Sequence, residues 1–95
     1  MLVPPEITVE KRPLGPDVWE YVFTHEAMGI LGRIVLQPDP DGPDTLARTE
    51  IYGAPDDPAT TRRREAFGPI AERVVDALYA EATALRALDE LCSGK

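Results

Sequence analysis

The chain has 95 residues, 43% hydrophobic and 28% charged, which is enough for one small core and one domain. Acids outnumber bases 17 to 10, and the net charge of −7 works against sequence-independent binding to nucleic acid or to an anionic membrane. The single cysteine, Cys92, excludes an internal disulfide; with no membrane-length apolar run and no signal-peptide layout in MLVPPEITVE, a cytoplasmic protein is expected.

Residues 1–5 read as a proline-stiffened lead-in. Ile7 to Lys11 alternates apolar and polar residues and predicts a first strand. Arg12 to Asp17, with Pro13, Gly15 and Pro16, reads as a loop, because proline cannot donate to a ladder. Val18 to His25 is the strongest strand signal, with Trp19, Tyr21 and Phe23 on one face. Glu26 to Gly29 is a turn, and Leu31 to Gln37 a third strand with Ile34 and Leu36 sharing a face. Pro38 to Asp44 is a breaker cluster, and Thr45 to Tyr52 a fourth strand. Short connections predict that neighbouring strands pair antiparallel as a meander.

Asp57 then Pro58 is the pattern of a helix start, aspartate as N-cap and proline in the first turn. Phe67, Ile70, Ala71, Val74, Leu78, Ala82, Leu85, Leu88 and Leu91 step by three and four, which is one face of a helix. Gly68-Pro69 interrupts the pattern, so the helix is expected to kink or split there, with two pieces, 58–67 and 69–91, favoured. The predicted fold is α+β: a four-stranded antiparallel meander over 6–53, with a C-terminal helical segment over 57–91 packed on one face.

That face is expected to hold Ile7, Val9, Trp19, Tyr21, Phe23, Ile34, Leu36, Ala47 and Ile51. The other face mixes charges with Val22 and Val35 at its centre. A straight helix from Pro69 would be about 34 Å long. Four strands set their outer axes only about 14 Å apart. The helix is therefore expected to outrun the sheet and leave Leu85, Leu88 and Leu91 partly uncovered, as a contact for another chain.

The functional reading is a small non-enzymatic interaction or regulatory protein acting as a homodimer, with Leu85, Leu88, Leu91, Val22 and Val35 as contacts. Two alternatives stand beside it. Arg62, Arg63 and Arg64 break the helix-dipole rule in the first two turns and could grip a phosphate or nucleic acid, or the acidic chain could engage a basic partner. A ligand or enzymatic site could also form between subunits from Tyr21, His25 or Tyr52. His25 is the only histidine and Ser93 the only serine, so neither a nucleophile–base pair nor a metal-ligand spacing is legible. No cofactor and no metal are expected.

Overall fold

The computed structural model describes residues 3–80 and 82–93, with the side chains at 82–85, 91 and 93 outside that description. Four strands, β1 (Ile7–Gly15), β2 (Val18–His25), β3 (Gly29–Pro38) and β4 (Thr45–Ile51), are followed by α1 (Pro58–Ala80) and α2 (Ala82–Ser93). The strands form one antiparallel sheet in sequence order, an α+β meander with helices on one face.

The first strand is longer than its prolines suggest. It continues through Pro13, which pairs with Trp19, and ends in a bulge before Gly15. The Glu6 carbonyl accepts the Glu26 N–H, so even positions of this edge strand bond β2. Pro13 then turns its missing N–H outward, where no ladder bond is lost. The β1–β2 turn is Pro16-Asp17, with Asp17 at φ 60°.

A second bulge reshapes β3. Phe23 pairs with Gly32 and Thr24 with Ile30, leaving Leu31 as the extra residue. Leu31 is fully buried, while Ile30 is displaced to the opposite face. Gly32 comes so close to α1 that a Cβ there would stand 2.8 Å from the Phe67 ring and collide with the Glu50 carbonyl.

Asp57 caps α1 as its position predicts, with its Oδ1 accepting the Ala59 N–H at 2.9 Å and its carbonyl the Thr60 N–H. The helix does not divide at Gly68-Pro69 but runs on to Ala80. Glu65 and Pro69 are exposed, so the helical bond that Pro69 deletes lies on the wet side, where water can reach the Glu65 carbonyl. Phe67, Ile70, Ala71 and Val74 face the sheet, and Phe67 packs on Phe23 with ring centroids 5.2 Å apart.

The expected overhang does not occur. α1 lies against β3 and β4, and α2 lies against β1 and α1. One helix is about 10 Å wide and leaves half of a four-stranded face bare. α2 covers that half and buries Leu88 completely, so Leu88 joins the core instead of lying partly uncovered. The side chains of Leu85 and Leu91 lie outside the described residues. The core joins Val3, Ile7, Val9, Tyr21, Phe23, Leu31, Ile34 and Leu36 to the helical stripe.

Candidate interaction surfaces

Three surfaces remain once the helices are in place. The first is the sheet face away from them. The register sets Glu10, Val22, Arg33 and Glu50 in one row, and Arg12, Glu20, Val35 and Arg48 in the next. Charge alternates across these rows. Arg33 donates from Nη1 to Glu20 at 3.0 Å and from Nη2 and Nε to Glu50 at 3.0 and 3.2 Å. Arg48 Nε donates to the other Glu50 oxygen at 2.8 Å, and Arg12 pairs with Glu10. These bonds favour the charged forms. Glu20 first and then Glu50 raise the Arg33 pKa, while Arg33 first and then Arg48 hold the Glu50 carboxyl below its ordinary value.

Val22 and Val35 sit beneath this lattice, 6% and 1% exposed. They were expected to offer an apolar contact. The long side chains of the neighbouring arginines and glutamates roof them instead, because such stems pack along apolar surface with their charges in water. The apolar surface that this face does offer lies to one side. Ile30, 38% exposed, and Tyr52, 55% exposed, border an open hollow of about 350 Å³ with Val22, Arg12, Arg33 and Glu50.

The second surface is the free edge of β4. The Ala47 N–H points away from β3 and is taken by the Tyr79 hydroxyl of α1 at 3.3 Å. The Tyr52 N–H, five residues on, bonds the Leu31 carbonyl of β3. Odd positions of β4 therefore present their backbone groups outward, and even positions carry the ladder. Leu46, Arg48 and Glu50 project to the open face, where Leu46 is 38% exposed.

The third surface is the end of the helix-side face that neither helix reaches. Further along β2, Tyr21 and Phe23 are buried beneath the helices as expected, but Trp19 is 39% exposed. The Lys11 ammonium stands 4.4 Å from the centroid of its ring. Lys11 also pairs with Asp89 of α2 at 3.1 Å, and the Tyr21 hydroxyl donates to the same Asp89 oxygen at 2.6 Å. Burial first, then this bond, pushes the Tyr21 phenol far above its ordinary value. A hollow of about 270 Å³ adjoins the cluster, bounded by Asp17, Pro38, Pro43 and Asp44.

No known protein family, curated protein or solved structure matches this chain. Its surfaces therefore carry the functional argument alone.

The remaining sequence-predicted positions do not form one site. Arg62, Arg63 and Arg64 splay at about 100° per residue. Arg62 and Arg64 are exposed, while Arg63 donates to the Tyr52 carbonyl at 3.2 Å and lies 5.3 Å over the Tyr52 ring. That guanidinium ties α1 to the end of β4. His25 Nδ1 accepts the N–H groups of Ala27 and Met28, which places the imidazole in the β2–β3 turn. Tyr21, His25 and Tyr52 fall on the helix-side face, in a turn and at the end of β4, so one chain does not bring them together. Among the described residues no three of His, Cys, Asp and Glu stand close enough to hold a metal ion, and no helix is long and apolar enough to cross a membrane.

Sequence reasoning missed Lys11 as the partner of Trp19 and Asp89, and Tyr79 as the cover of the β4 edge. Lys11 was legible: it shares the odd parity of Ile7 and Val9 and so belongs on the helix side. Tyr79 was not, since its contact depends on the path of α1.

Proposed function

We propose that this chain is a small interaction protein that works as a homodimer. The observation that supports it most is the uneven closure of the sheet. Two helices cover one face, yet on the β3–β4 side of the other Ile30 and Tyr52 stay exposed at one end and Leu46 at the far end, with Arg48 and Glu50 between them. Exposed large apolar side chains interleaved with charges of both signs are what a protein contact surface can use. A surface with equal numbers of Arg and Glu suits a second copy, since each copy brings both partners of every ion pair.

Light scattering during size exclusion tests the reading across a wide concentration range. The expected mass is twice the 10.4 kDa of one chain, falling toward the monomer on dilution. A 10.4 kDa particle at every concentration up to about millimolar, where even contacts worth only ~4 kcal/mol register, overturns it.

A further inference from the structure

Resting on the homodimer reading, we infer that two copies associate through β4, pairing antiparallel about a twofold axis at Thr49, so that two four-stranded sheets become one. Three independent features of the strand select this arrangement.

The first is the availability of the edge. β1 is a poor template, because Pro13 interrupts its outward groups. β4 has no proline between Thr45 and Ile51, and its odd residues turn N–H and C=O outward. Outward groups must meet outward groups, so odd residues of one copy face odd residues of the other. Every slip of one residue is thereby excluded.

The second is charge. Among the registers that keep this parity, the one centred on Arg48 sets Arg48 against Arg48 of the second copy, and the one centred on Glu50 sets Glu50 against Glu50. Like charges directly opposite are destabilising. With the axis at Thr49, Arg48 of each copy faces Glu50 of the other. Both pairs occupy non-hydrogen-bonded positions, where side chains stand closest. Within each chain Arg48 already bonds Glu50 at 2.8 Å, so the four groups would form one alternating cluster on the open face.

The third is apolar matching. The same register sets Leu46 opposite Tyr52 and Ala47 opposite Ile51. Leu46 and Tyr52 are two of the most exposed large hydrophobic side chains on the open face, and this pairing covers both. A register centred on Ala47 sets Leu46 against Arg48 and leaves Tyr52 uncovered.

Tyr79 acts as the latch of this edge. Its ring is 62% exposed, and its hydroxyl holds the Ala47 N–H that strand pairing needs. On association that N–H transfers to the Ile51 carbonyl of the second copy. Helices of both copies then lie on one side of the joined sheet, and both charged faces lie on the other.

The experiment uses the full chain and its dimer dissociation constant. Thr49→Pro removes an outward N–H and no β3–β4 bond, so the fold is kept while association weakens at least about a hundredfold, the equivalent of ~2.7 kcal/mol. Arg48→Glu and Glu50→Lys each weaken self-association, and mixing the two variants restores a tight heterodimer, because each mismatch becomes an ion pair. Tyr79→Phe, which frees the edge, tightens association. The mixing experiment carries the test if Thr49→Pro fails to fold, as judged by the fluorescence of the sole tryptophan, Trp19. A dimer indifferent to Thr49→Pro, with a mixture no tighter than either variant alone, overturns the β4 register and leaves the homodimer standing on another surface. A wild-type chain that never dimerises overturns both.

Discussion

Gly32 shows how one position binds the two layers together. The bulge at Leu31 brings the backbone of β3 toward α1, and the absence of a side chain lets the Phe67 ring seat directly on the strand. Gly32 does not need a left-handed backbone; it needs empty space. Gly32→Ala is expected to destabilise the protein by about 2–3 kcal/mol or more, because neither the Glu50 backbone nor a buried ring can yield easily. Chemical denaturation with an unchanged m-value checks it. Thr60 is a second such residue. It is 1% exposed beside Gly53, and its hydroxyl has no hydrogen-bond partner among the described residues. Gly53 itself, at φ 107°, meets both constraints, since a Cβ there would lie 2.6 Å from the Thr60 hydroxyl.

Among the elements, the two helices divide one face of the sheet between them. α1 carries Phe67, Ile70 and Val74 over β3 and β4, and α2 carries Leu88 over β1. The Lys11–Asp89–Tyr21 cluster adds polar contacts that hold α2 at this position. Leu88→Ala should cost about 2–5 kcal/mol, the range for a large core side chain removed without collapse. Hydrogen exchange is the informative measurement. α2 rests only on β1 and α1, whereas β2 and β3 are each paired on both sides, so its amides should lose protection first while those of β2 and β3 stay protected. Equal loss throughout would show that α2 and the sheet unfold as one unit.

At the scale of the whole molecule, charge shapes the response to pH. Glu50 is held below its ordinary carboxyl value of 4.5, so its ion pairs stabilise the fold above that pH. Their contribution is lost as pH falls through the depressed value. Tyr21 works in the opposite direction. Its pKa is raised above the ordinary 10.0, so the neutral phenol stabilises the fold below that pH, and stability declines as alkali ionises the unfolded chain. A plot of melting temperature against pH should therefore fall on both sides. Glu50→Gln should flatten the acid limb and Tyr21→Phe the alkaline one. An acid limb identical in wild type and Glu50→Gln would mean that other carboxylates set it.

The fold was legible because its signals are local. The alternation in Val18–His25 sets the two faces of β2, the breakers between Pro38 and Asp44 separate β3 from β4, and Asp57-Pro58 starts α1. Such periodicities depend only on backbone geometry, so the residues by themselves determined an α+β meander and much of its core face, though not Leu31, which a bulge turns inward, or Trp19, which stays 39% exposed. Local rules misled at both prolines, since the cost of a missing N–H depends on whether it faces water or a ladder. That is a property of neighbours, and it carried β1 through Pro13 and α1 through Pro69. Tertiary structure alone decided that the C-terminal stripe would fold back on β1, that Val22 and Val35 would lie under an Arg–Glu lattice, and that Tyr79 would cover the β4 edge. Each of these joins residues far apart in the chain, and which distant surfaces meet follows from covering the whole sheet face at once rather than from any single segment.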